Sequence, residues 1–458
     1  MRDAPRLTYD DLLALFAPST RERVGLELEC GLLDTATGRN VGYGGTRGTR
    51  RFLTALAAEL GGDLLTEAGA LAAVQLPGGA QVSLELGSAI EYSSAPFDSL
   101  TALVAETRRD MTAVAEVARR LGLSVLPGAL LPFSPSTRIP WSPKPRIPIM
   151  RDYFRRLGPA AASAERVMGL TLSTQTTVDF VSAADFREKL RLLVMVAPIA
   201  AAMFVNSPLD EGQPAGVLSQ RMRMWGQVDP SRCGVLDFAV RPDVSTADAM
   251  RWALGLPMIY RRVGAATGAS AAGAEEYTAA PDRTFDELMR HGFGDGTHPT
   301  ADDWRSHLGQ VWPHVRARDT LEMRAFDGLG WPAFAAAPAF TVGLVYHPPA
   351  RTAALALLHD ITAADLVRAS DEVAAKGLDA LVGRHSVGAL VEALLRLACQ
   401  GLHARVEAGL ERPEVVRLLD PLHDVVRSGV TFAERCLRDW AGPFRERPTA
   451  LVHAYRIP

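Results

Sequence analysis

Apolar and polar positions alternate with a period of two along Val24-Gly25-Leu26-Glu27-Leu28-Glu29. That is the spacing of a β-strand with Leu26 and Leu28 on one face and Glu27 and Glu29 on the other, and it predicts a strand over 23–33. The same period predicts strands over 171–181 and 315–326. In the latter, Arg316, Arg318, Thr320, Glu322 and Arg324 fall on one face and Leu321 and Met323 on the other. Runs at 71–76 and 81–85 flank Pro77-Gly78-Gly79 and predict a hairpin. Helical spacing of Leu100, Leu103, Met111, Val114 and Val117 predicts an amphipathic helix over 98–121. Further helices are expected over 9–16, where Thr8 is a candidate N-cap, and over 49–60, 184–203 and 245–262. From about residue 350 the pattern is mostly helical, most clearly over 387–410 after Ser386, and serves packing or subunit contact.

Punctuation refines this outline. Seven prolines between Pro127 and Pro148 argue against regular helix or central strand there and predict a structured loop or a lid. An Ala/Gly/Ser-rich connector is expected near 265–274. The uncharged stretch 328–346 contains Pro332 and Pro338 and reads as buried core. The apolar run 192–205 contains Pro198 and is shorter than the ~20 residues a spanning helix needs.

The 458 residues amount to roughly three domains' worth of mass at ~150 each, although one large catalytic unit also reaches this size. A net charge of −3, from 49 basic and 52 acidic residues, carries no footprint for nucleic acid or an anionic membrane, so small molecules are the expected partners. The N-terminus is acidic where a signal peptide needs an apolar core, which predicts a soluble cytoplasmic protein. Four scattered cysteines without a C-x-x-C pair predict free thiols.

Glu27 and Glu29, with Glu85 and Glu91 some sixty residues on, fit either a solvated strand face or a cation site. The 316–324 face likewise fits a surface ladder of ion pairs, or a metal carboxylate beside cations that hold phosphate. All ten histidines lie at or beyond His291 and none forms H-E-x-x-H; there is no G-x-S-x-G elbow and no phosphate loop. The glycine-rich turn 42–48 matches neither nucleotide fingerprint, leaving Arg47 and Arg50 as its only phosphate candidates. Glutamates without histidine or thiolate partners suit Mg²⁺ or Mn²⁺, ions that accompany phosphoryl groups.

Glu85-Leu86-Gly87-Ser88-Ala89-Ile90-Glu91-Tyr92-Ser93-Ser94-Ala95-Pro96 resembles the E-P-G-G-Q-x-E-L-S-G-A-P motif of the plant and proteobacterial type of glutamate-cysteine ligase. Pro143-Lys144-Pro145-Arg146 with Ile149-Met150-Arg151-Asp152-Tyr153 resembles P-K-x-R-Y-x-I-M-x-x-Y-M. Phe204-Val205-Asn206-Ser207-Pro208 resembles F-A-N-S-P, and Ser219-Gln220-Arg221 with Trp225, Asp229, Arg232 and Gly234 resembles S-x-R-x-x-x-W-x-x-x-D-x-x-R-x-G. Leu321-Glu322-Met323-Arg324 with Asp327 resembles L-E-M-R-G-A-D. These matches run in order from about residue 23 to 346.

The resemblance implies an α+β fold related to glutamine synthetase, in which a curved, mostly antiparallel sheet forms a funnel supported by helices. One catalytic unit spans 1–458, with a sheet core over about 20–346 and a helical part over about 350–458. It implies ATP-dependent phosphorylation of the γ-carboxylate of glutamate and attack by the amine of cysteine, with Mg²⁺ at the phosphates. Glu27, Glu29, Glu85, Glu91, Glu322 and Gln175 become the metal-binding set. Arg324 faces phosphate and the tetrahedral intermediate, with Glu322 beside it in catalysis. Arg221 clamps the α-carboxylate of glutamate, Trp225 lines that pocket, and Lys144 and Arg146 sit where a loop closes on ATP. This chain departs from the family at Leu86, Ser88, Ala89, Tyr92, Ser94, Ile147 and Thr177, so a different, non-thiol acceptor is the rival expectation. A non-catalytic binding protein is the alternative from another class.

Overall fold

The computed structural model describes residues 6–263 and 276–458. The connector expected near 265–274 lies outside the described residues. Among the described residues nine strands form one sheet: β1 (Val24–Asp34), β2 (Asp63–Glu67), β3 (Ala70–Gln75), β4 (Gln81–Leu84), β5 (Ile90–Ser93), β6 (Leu123–Pro127), β7 (Thr174–Val178), β8 (Val315–Ala317) and β9 (Leu321–Met323). Their spatial order is β8-β9-β7-β1-β5-β4-β3-β2, with β6 alongside β1, and every pairing is antiparallel.

Strand β1 organises the sheet because its length lets it serve three neighbours. Val24 to Leu28 pair with β7, Glu27 to Cys30 with β5, and Cys30 to Asp34 with β6. Its alternation is realised as expected: Val24, Leu26, Leu28 and Cys30 are buried, on the face covered by helices Leu100–Arg120 and Ala336–Val345. Helix Ala183–Ala200 backs β8 and β9 in the same layer. Truncating a residue such as Leu28, which has no exposed surface, costs about 2–5 kcal/mol in cores of this kind. The opposite face carries the charged side chains.

Several boundaries follow from local chemistry. Thr8 forms a capping box with Asp11 ahead of helix Tyr9–Ala14, and Ser386 caps Val387–Glu407. The uncharged segment is buried throughout helix Ala336–Val345. Between Pro127 and Pro148 the chain is largely loop, but helix Arg146–Leu157 begins inside that stretch. Pro148 is tolerated there because first-turn N–H groups have no intrahelical acceptor.

The expected strand over 315–326 is two strands, not one. Arg318 N–H donates to Thr320 O at 2.8 Å, closing a turn that folds β9 back on β8 and sets Arg316 opposite Glu322. The helix expected over 245–262 stops at Leu254. Gly255 and Pro257 interrupt it, and Tyr260–Val263 pairs instead with Glu276–Ala279.

Candidate active site

Register gathers the glutamates. Residues directly opposite in an antiparallel pair share a face; Glu29 lies opposite Glu91, and Glu27 opposite Gln175. Glu85 joins them from the turn between β4 and β5, where its N–H donates to Ala89 O at 2.8 Å. Gly87 in that turn is packed so closely that an added Cβ would meet Gly169 O at 1.9 Å. The departures Leu86, Ser88 and Ala89 flank this glycine without preventing the turn, and Ser88 Oγ donates to Pro140 O at 2.6 Å.

One carboxylate oxygen each from Glu29, Glu85 and Glu91 lie within 4.8 Å of one another. Ser173 Oγ and Gln175 Nε2 both donate to Glu29 at 3.0 Å, and Ser93 Oγ donates to Glu91 at 3.0 Å. These bonds do not offset the crowding. Burial and then the Glu85 charge push Glu29 up to about 8. Burial, followed by Glu27, Glu85 and Glu29, holds Glu91 well above the usual carboxylate range. Glu27 is pushed up to about 7 by burial and Glu322. A divalent cation among these oxygens removes that repulsion.

The far end of the same face is paired. Glu322 is buried and accepts from Arg316 Nε at 2.7 Å and Arg324 Nη1 at 3.1 Å, while its Oε1 has no hydrogen-bond partner among the described residues. Burial opposes its ionisation, but Arg316, Arg324 and Arg318 outweigh burial and hold it below the ordinary range. Arg324 Nη1 also donates to Gln175 Oε1. Arg316 is pushed down to about 10 by burial and by Arg324.

A third group is built on helix Gln220–Trp225, whose N-cap Ser219 accepts from Met222 N–H at 3.1 Å. Arg221 is buried and donates to Arg324 O at 2.8 Å and Ala325 O at 3.2 Å. Its Nη1 lies 3.6 Å from Asp327. Asp327 in turn accepts from Asn206 N–H at 2.8 Å, Ser207 Oγ at 2.8 Å and Ser219 Oγ at 3.0 Å. Three separated stretches of sequence are thus tied to one buried carboxylate.

A cavity of ≈160 Å³ is bounded by Glu29, Glu85, Arg146, Arg221, Trp225 and Arg324, with Leu86, Met150, Met168, Tyr260 and Trp312 supplying its apolar wall. Glu27, Glu91, Gln175 and Glu322 continue the charged face beside it. Arg146 is the first residue of its helix and is ion-paired to Glu67. Lys144 does not line this cavity; it sits in a small adjacent crevice with Glu67, Leu84 and Ser142. Arg47, the glycine-turn candidate for phosphate, instead pairs with Asp34 at 2.8 Å. Asp327, Ser207 and Ser219 carry parts of this site that no sequence pattern marks individually, and Arg316 joins them as the partner of Glu322. Arg316 was visible through its period with Glu322, and Asp327 as the last residue of its motif.

The glutamate-cysteine ligase family 2 model matches residues 23–450. The chain belongs to this family. Curated relatives include the chloroplastic glutamate-cysteine ligase of Nicotiana tabacum, 30% identical over 449 residues, 96% of this chain and 81% of that enzyme. The chloroplastic ligase B of Oryza sativa subsp. japonica is 31% identical over 439 residues, covering 94% and 84%. Among solved structures, the Francisella tularensis glutamate-cysteine ligase in complex with AMP superposes with a TM-score of 0.55 at 11% identity, covering 96% of this chain and 91% of that one. At that identity the likeness is one of fold, and it agrees with the glutamine-synthetase-like α+β architecture expected for family 2. The expectation of a cytoplasmic protein is corrected by these comparisons: the curated relatives from tobacco, Arabidopsis thaliana and rice are chloroplastic enzymes.

Proposed function

We propose that this chain is an ATP-dependent ligase that joins the γ-carboxylate of L-glutamate to the amine of L-cysteine through a γ-glutamyl phosphate, the sheet and the C-terminal helices acting as one catalytic unit. The observation that carries the proposal is the convergence of Glu29, Glu85, Arg221, Trp225 and Arg324 on one cavity in a family 2 chain. Glu29, Glu85 and Glu91, with Glu27, Glu322 and Gln175 beside them, would hold Mg²⁺. The crowded carboxylate oxygens and the unpartnered Glu322 Oε1 fit such an ion. When bound, it supplies charge neutralisation at the ATP phosphates.

In the first step an oxygen of the glutamate γ-carboxylate attacks the γ-phosphorus of ATP, and ADP leaves. Arg324, oriented by Glu322 and Gln175, offers a fixed cation to the charge on the transferring group. Arg221 holds the substrate α-carboxylate, and Trp225 closes that side of the pocket. Lys144 and Arg146 approach the nucleotide from the loop and helix start at the edge of the site. In the second step the amine of cysteine attacks the acyl carbon, and phosphate departs with the former carboxylate oxygen. The amine proton passes to phosphate or water, so no histidine base is needed.

Incubation with ATP, Mg²⁺, L-glutamate and a panel of amino acids, followed by phosphate release and product mass, tests the proposal. The expected result is best turnover with L-cysteine and a γ-glutamylcysteine product. Best turnover with a non-thiol acceptor overturns the cysteine assignment, and no turnover with any acceptor overturns ligation.

A further inference from the structure

A cavity of ≈340 Å³ that does not border the catalytic face lies between the β6 end of the sheet and the C-terminal helices. Its size is at the lower end of small-molecule sites. Leu126, Leu130, Trp331, Phe432 and Leu451 make much of its wall. Two opposite charges also line it, Arg435 and Asp439, one turn apart on helix Phe432–Ala441.

Residues at this spacing face the same side of a helix and are close enough to pair, yet these two do not. Among the described residues Arg435 makes no ion pair: its guanidinium lies over the Phe432 ring, 5.6 Å from the centroid, and donates to Ser428 Oγ at 3.4 Å. The Asp439 carboxylate accepts from Tyr455 Oη at 2.7 Å, and among the described residues it too has no cationic partner. An apolar cavity edged by one cation and one anion, each without an ionic partner, is complementary to a ligand with both charges on one carbon and an apolar tail.

We infer that this cavity binds a free α-amino acid with an apolar side chain, its carboxylate at Arg435, its ammonium at Asp439 and its side chain against Trp331 and Leu130. The site is separate from the catalytic cavity, but Asn206 and Ser207 line it. Both residues bond to Asp327, the carboxylate that faces Arg221.

Calorimetric titration of the full chain with L-leucine and with L-phenylalanine tests the inference, using 3-phenylpropionate and phenethylamine as the analogues that lack one charge each. The expected result is one-to-one binding of at least one amino acid, and at least tenfold weaker binding of both analogues. Arg435→Gln is expected to weaken amino-acid binding at least tenfold while ligase turnover measured without added apolar amino acid is unchanged. Asp439→Asn is expected to do the same, and because Asp439 also holds Tyr455 the Arg435 variant is the primary test. Absence of binding by both amino acids at millimolar concentration overturns the inference. So does binding that Arg435→Gln leaves undiminished, since that places the ligand elsewhere.

Discussion

Arg316 donates from Nε to one carboxylate oxygen of Glu322 at 2.7 Å, and the other oxygen of Glu322 is buried without a hydrogen-bond partner among the described residues. A buried acceptor left unsatisfied costs about 1–3 kcal/mol, a cost that the proposed Mg²⁺ would offset by taking that oxygen as a ligand. Glu322→Gln keeps the shape but removes the charge that orients Arg316 and Arg324. Steady-state assays are expected to show turnover reduced roughly 100-fold or more, the scale of losing one electrostatic contact at a reacting centre. Turnover within threefold of the parent contradicts the assignment.

Glu27→Gln and Glu29→Gln are each expected to abolish ligation while leaving the fold intact. Because these carboxylates repel their neighbours, neutralising either is expected to leave the metal-free thermal midpoint unchanged or raised. Calorimetry on the variants checks this. Near-normal activity in both would return the two side chains to the role of a solvated strand face.

The same crowding sets a pH dependence. Glu29 and Glu27 are raised to about 8 and about 7 from the ordinary glutamate value of 4.5, so the folded chain binds more protons than the unfolded one across that interval. Their contribution to stability is fully present below about 4.5 and is lost as pH rises through 7 to 8. In the presence of a chelator, the midpoint of the parent is expected to fall relative to that of Glu29→Gln between pH 5 and 9. Mg²⁺ affinity is expected to rise over the same interval with release of protons, measured by titration in buffers of different ionisation enthalpy. A difference between parent and variant that does not change with pH rejects this account.

Arg221 donates one N–H from each terminal nitrogen to the carbonyls of Arg324 and Ala325 and faces Asp327, so its position is set before substrate arrives and a second N–H on each nitrogen is left to donate. Arg221→Lys cannot reproduce a planar fork. Initial-rate kinetics are expected to show KM for glutamate raised at least tenfold, about 1.4 kcal/mol, with KM for ATP within twofold. Asp327→Asn is expected to move KM for glutamate in the same direction through the loosened Arg221. Equal changes in both constants speak against a glutamate-specific clamp.

Much of the architecture was legible because period two survives wherever one face of a strand is buried. Glu27 and Glu29 alternate with Leu26 and Leu28, and Ser386 and Thr8 announce their helices. Two missed strands lacked that signal, β6 being buried on both faces and β2 mostly exposed, while β5 alternates over only four residues, too few to stand out. The turn at Arg318 to Thr320 left only one trace in the pattern, Asp319 standing on the apolar face between Ala317 and Leu321. In the site, the carboxylates and arginines were visible by type and motif. Asp327 was quoted only as a motif residue, because its importance lies in hydrogen bonds from residues more than a hundred positions away.

The central claim is that the γ-carboxylate of glutamate is phosphorylated before the amide forms. Ligation run with glutamate carrying ¹⁸O in both γ-carboxylate oxygens tests it directly by mass analysis of the released phosphate. One ¹⁸O in each phosphate, appearing in step with γ-glutamylcysteine, is expected. Phosphate free of ¹⁸O while the amide accumulates would contradict it.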